Sequence, residues 1–88
     1  MKVIILDGAR FTNKSAAHEY IAASLNFPTY YGKNLDALDD CLSELPRDTA
    51  VVITNAGRAK ENLGAYADGI LDDFRDVLGE RFCVCIFE

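Results

Sequence analysis

With 88 residues the chain has room for one domain, spanning 1–88, around one modest core; a deep cleft plus a second substrate-holding domain would not fit. Half of the residues are hydrophobic, which sets the chain apart from disordered sequences. The formal net charge of −5 argues against general nucleic-acid binding, which needs clustered Lys and Arg, and favours a surface-borne function toward a basic partner.

The first segment, Met1–Gly8, holds one lysine and the apolar run Val3–Leu6. That run suits a strand and is too short for a signal peptide or a membrane span, so the expected compartment is the cytoplasm and no membrane partner is expected. Ser15 to Leu25 follows with Ala17, Tyr20, Ile21 and Leu25 on one side, a helical pattern that Pro28 terminates. His18 lies on this helix beside Ile21 and Ala22. With no nucleophile or base partner in view, its expected role is structural.

A second helix is predicted from Asn34, a good N-cap residue, with Leu35, Leu38, Leu42 and Leu45 at three-and-four spacing, Cys41 beside them and Pro46 at the end. Ala50–Thr54 reads as the next strand. Gly57–Leu63 forms a short helical stretch and Tyr66–Leu78 a strong one, its stripe made by Tyr66, Ile70, Phe74, Val77 and Leu78, with Gly79 placed as a C′ glycine. Cys83–Phe87 closes the chain as a third strand, which would put Cys83 and Cys85 on one face. Near-continuous hydrophobicity in all three strands, with helices between them, predicts an α/β fold: a three-stranded parallel sheet packed with about four helices. Three cysteines make no disulfide framework, and buried reduced thiols are the expectation at Cys41 and Cys83.

The informative stretch is Pro28–Leu45, P-T-Y-Y-G-K-N-L-D-A-L-D-D-C-L-S-E-L. Asp36, Asp40 and Glu44 recur every four residues, Asp39 flanks them, and no base lies between Asn34 and Glu44. Like charges four apart cost a helix a few tenths of a kcal/mol per pair, so a helix chosen for stability alone would not carry this row. In the preceding loop Tyr30 and Tyr31 are adjacent, and both cannot point into a core; at least one is expected at the surface, where Tyr is a common anchor of protein interfaces. Gly32 is expected to supply either a positive φ or a close backbone approach. The last long helix repeats the acidic pattern with Asp68, Asp72, Asp73 and Asp76, relieved only by Arg75. If the two acidic faces converge, they make one strongly negative surface.

The motif Y-Y-G-K-N-L-D-A-L-D-D-C-L resembles the binding loop and second helix of the barstar family, intracellular inhibitors of a secreted bacterial guanyl-specific ribonuclease. His18, Pro28 and F-R-D at Phe74–Asp76 also fall where that family has counterparts, so the likeness covers most of the chain. The resemblance implies a barstar-like fold and a cytoplasmic, non-enzymatic protein that needs no cofactor or metal and is monomeric when free. Its partner would be a basic secreted ribonuclease or toxin nuclease domain. By motif position Asp40 matches the central carboxylate that fills the catalytic phosphate pocket. Tyr30, Asn34 and Asp36 match contacts around it, and Asp76 matches an acidic contact on the last helix. Tyr31, Gly32, Asp39, Ser43 and Glu44 complete the expected partner-binding surface. The chain departs from the family's best-known member at Asp39 and Leu45, which replace tryptophans, at Lys33, which replaces an acid, and at Glu44, which replaces a glycine. Those changes point to a different target surface. Two other readings remain open at this point: an immunity protein or adaptor for a toxin domain that is not a ribonuclease, and a Mg²⁺-dependent phosphoryl-transfer enzyme using the Asp clusters.

Overall fold

The computed structural model describes residues 1–81 and 83–88. Strand β1 (Lys2–Asp7) runs through a 3₁₀ turn at Gly8–Arg10 into helix α1 (Lys14–Leu25). Then come α2 (Leu35–Ser43), β2 (Thr49–Thr54), α3 (Ala56–Leu63), α4 (Ala65–Leu78), a second 3₁₀ turn at Gly79–Arg81, and β3 (Val84–Ile86). The sheet order is β1-β2-β3, with both pairings parallel, so the expected architecture is the observed one.

The helices cover one face of the sheet. Leu6, Val51 and Ile53 are fully buried and belong to one core cluster with Ile21, Leu38, Leu42, Ile70, Leu71 and Phe74. The opposite face is open: Val3, Ile5 and Phe87 are 56%, 65% and 59% exposed, and the register sets Ile5, Val52 and Cys85 in one row across the strands. Continuous hydrophobicity therefore marked strands covered on a single side. Cys83 and Cys85 do not share a face. Cys83 precedes β3, is buried, and donates its backbone N–H to the Leu78 carbonyl at 3.0 Å, whereas Cys85 lies in β3 and is exposed. Cys41 is half-buried; burial, then Glu44 and Asp40, push its thiol pKa up, which disfavours the reactive thiolate.

Local chemistry sets the helix ends. Asn13 and Asn34 cap α1 and α2, their side-chain oxygens accepting from the N–H of Ala16 and Ala37. Asn26 ends α1 in the left-handed region. Gly64 at φ +60° turns α3 into α4, a conformation that favours glycine. Gly79 is not the C′ glycine expected: at φ −61° it continues the chain into the 3₁₀ turn, which carries Arg81 back toward the end of α2.

Candidate functional site: an acidic face on α2 and α4

Helices α2 and α4 pack side by side, and one glycine sets how closely. A Cβ on Gly69 would come within 2.7 Å of Leu35 Cδ1, so the absent side chain lets the first turn of α2 settle onto α4. The approach to that turn is fixed by Asn34, exposed at the N-cap, whose amide also donates to the Gly32 carbonyl at 3.3 Å. Of the two roles open to Gly32, the positive φ falls on Lys33, at 54°. Gly32 serves close approach: a Cβ there would lie 3.3 Å from both the Ala37 Cβ and Asn34 Nδ2. Lys33 reaches back to Glu19 at 3.2 Å, an exposed pair worth little.

The two tyrosines divide their work. Tyr30 is 84% exposed at the loop tip. Tyr31, expected on the contact surface, is instead a core residue, 8% exposed, with its ring 5.0 Å from that of Phe27. Its hydroxyl lies 2.6 Å from His18 Nδ1, and His18 Nε2 lies 2.7 Å from the Tyr66 hydroxyl. This buried relay ties the loop to α1 and α4, which gives His18 the structural role expected of it. Burial, with Lys33 nearby, holds the imidazole pKa below its usual range. The neutral ring then donates to one tyrosine and accepts from the other. Burial likewise raises the Tyr31 and Tyr66 hydroxyls above the ordinary phenol range.

The acidic sides of α2 and α4 come together, which periodicity alone left open. Asp36, Asp39, Asp40, Glu44 and Asp76 are exposed, and none has an ion-pair partner among the described residues. All of them but Asp36 border two depressions. One, of about 230 Å³, brings together Tyr30, Gly32, Asp40 and Glu44. The other, of about 340 Å³, lies on the α4 side and joins Asp39, Ser43 and Asp76 with Glu80, Arg47 and Arg81. Ser43 donates its hydroxyl to the Asp40 carbonyl at 2.7 Å. So Tyr30, Gly32, Asp40 and Glu44 meet on one side of α2, and Asp39, Ser43 and Asp76 on the other.

Asp73 was expected only as a Mg²⁺ ligand of the enzyme alternative and not on the partner-binding surface, yet it is the most perturbed carboxyl of this face. It is half-buried, and its Oδ2 is buried without a hydrogen-bond partner among the described residues. Burial, then Asp39, Asp76, Asp36 and Asp72, push its pKa up to about 6. The sequence signal was its place beside Phe74, at the edge of the α4 stripe on the side of Tyr66 and Val77. A folded-state pKa above the unfolded one destabilises the fold wherever the unfolded chain ionises first. The Asp73 penalty therefore grows as pH rises from about 4 to about 6 and is complete above that. Asp73→Asn is expected to raise stability at pH 7 by about 1 kcal/mol, after discounting the shift for solvent screening, and to flatten the pH dependence in that window. Denaturant titrations of both proteins across the window check this; parallel curves would refute it.

A sequence model of the family described as Barstar (barnase inhibitor) matches residues 1–85. The chain belongs to the Barstar family. It is also 40% identical, over 83 residues, to a protein of Bacillus subtilis (strain 168) named "Putative ribonuclease inhibitor YrdF", a match that covers 91% of this chain and 89% of that one. Membership sets the chain among inhibitors and not among phosphoryl-transfer enzymes. The Tyr30 loop and α2 border one depression, and α2 and the late turns of α4 border the other.

Proposed function

We propose that this chain inhibits a basic ribonuclease by laying α2 and the Tyr30 loop into the enzyme's active-site cleft, with carboxylates standing where RNA phosphates would bind. The observation that carries this reading is the acidic face itself. Asp36, Asp40 and Glu44 rise along one exposed side of α2, without counter-ions among the described residues and beside the exposed ring of Tyr30. A fold selected for stability alone would dilute that charge. Toward a cleft of Arg, Lys and His, the same carboxylates accept charge-assisted hydrogen bonds. Tyr30 supplies a wide amphipathic contact next to Asp40. The proposed setting is the cytoplasm of a cell that makes such a nuclease.

The test is inhibition of small basic bacterial ribonucleases by the purified chain, with association measured against salt. Complementary fields speed encounter, and screening acts over about 8 Å at physiological ionic strength. Association is expected to slow about tenfold or more between low and high salt. Capture only of toxin domains that do not cleave RNA, or a rate indifferent to salt, would overturn the reading.

A further inference from the structure

Helix α2 has only nine residues, and its last turn carries no base. Local donors serve the carbonyls of Asp40, Cys41 and Leu42, from the Ser43 hydroxyl and the Glu44 and Leu45 N–H groups, but the later carbonyls of Ser43 and Leu45 and the row of acids call for a positive group that α2 does not carry. The compensation comes from far along the chain. Arg81, at the end of the turn that follows α4, donates from one guanidinium nitrogen to the Leu45 carbonyl at 2.9 Å and from the other to the Ser43 carbonyl at 2.8 Å. One planar group thereby satisfies two acceptors at the end of α2 and sets a fixed positive charge there. At the other end α2 is seated by the close approach of Leu35 to Gly69.

We propose that Arg81 is a positioning residue of the inhibitory surface: it clamps the C-terminal end of α2 to the α4–β3 connection and so fixes where Asp39, Asp40 and Glu44 stand relative to Asp76. This rests on the function proposed above. The depression shared by Asp39, Ser43, Asp76 and Arg81 shows the two helices' contributions meeting where the guanidinium holds them. Geometry and charge make opposite predictions for its removal. Deleting a positive charge from an inhibitor of a basic enzyme makes its field more negative, which speeds encounter. Releasing α2 disorders the contact and speeds dissociation.

The experiment measures association and dissociation rates of the wild type, Arg81→Ala and Arg81→Lys on a ribonuclease that the wild type inhibits, well below each melting temperature. The clamp is expected to give Arg81→Ala an unchanged or faster association and a dissociation about tenfold faster, a loss on the scale of charged hydrogen bonds. Lys, which can reach one carbonyl, is expected to restore part of it. The loss is also expected to shrink in an Asp40→Ala background, because the clamp acts through α2. A change confined to association, no rescue by Lys, or full additivity with Asp40→Ala would overturn the proposal. Amide exchange at Glu44 and Leu45 in the free chain reads the clamp without any enzyme. Faster exchange there in Arg81→Ala is expected, and unchanged exchange would overturn the clamp. If no ribonuclease binds the wild type, the functional reading falls while this readout still decides the role of Arg81.

Discussion

Asp40→Ala is expected to weaken inhibition more than any other single acidic substitution, by about 2–5 kcal/mol, the general range for removing one member of a desolvated charge pair. The interface of barnase with its inhibitor is itself one source of that range. Asp40 lies mid-helix, one turn after Asp36 and one before Glu44, and shares its depression with Tyr30. That is the centre of the face, where a partner would exclude water most fully, and central anchors outweigh rim contacts. Most of the loss comes from the enzyme's cation being left buried opposite an alanine. The fold is expected to survive, and to gain slightly, since the like-charge spacing with Asp36 and Glu44 is relieved. Asp68→Ala is the control: it is exposed in the first turn of α4 and borders neither depression of the acidic face. Dissociation constants and thermal melts of both variants decide the matter. Equal losses would mean that Asp40 is not the centre of the contact.

The strands, the parallel sheet and the main helices were legible because each rests on a local rule: apolar runs, three-and-four spacing, and asparagines at N-caps. The row Asp36, Asp40 and Glu44 was legible for the same reason, since periodicity alone puts it opposite the buried Leu38 and Leu42. What failed depended on contacts between distant segments. Which of Tyr30 and Tyr31 turns inward is decided by His18 and Tyr66, thirteen and thirty-five residues from Tyr31. Gly79 looked like a helix stop, but the chain tightens there instead and delivers Arg81 to carbonyls 36 and 38 residues earlier. Asp73 looked like one more surface acid, yet packing of α4 against α2 buries one of its oxygens. The face was readable from spacing; the groups that hold and strain it were not.

His18→Leu is expected to destabilise the fold by about 2–4 kcal/mol, the sum of a lost buried partner for Tyr31 and a partly buried one for Tyr66. Leucine fills much of the ring's volume but offers neither a donor nor an acceptor. The Tyr31 hydroxyl, in a side chain only 8% exposed, is then left without its 2.6 Å partner. Tyr66 is less buried, so water can replace its bond to Nε2, and its ring keeps Lys14 Nζ 4.6 Å from its centroid. Tyr31→Phe removes a single hydroxyl and is expected to cost less. The pH dependence supplies an independent mark. The His18 pKa is lowered in the fold from its usual 6.5, chiefly by burial, so below that pH the unfolded chain takes up a proton that the fold resists. The stabilisation from neutral His18 is present above pH 6.5 and is lost as pH falls toward the folded value, a slope that the leucine variant should lack. Because Tyr31 stands two residues before Lys33 and three before the N-cap Asn34, the same loss should loosen the loop that carries Tyr30 and weaken inhibition. Denaturant titrations of both variants from about pH 5 to pH 8, alongside inhibition assays, test the relay as a whole. A His18→Leu protein with wild-type stability and the wild-type acid slope would show that the three side chains are neighbours and nothing more.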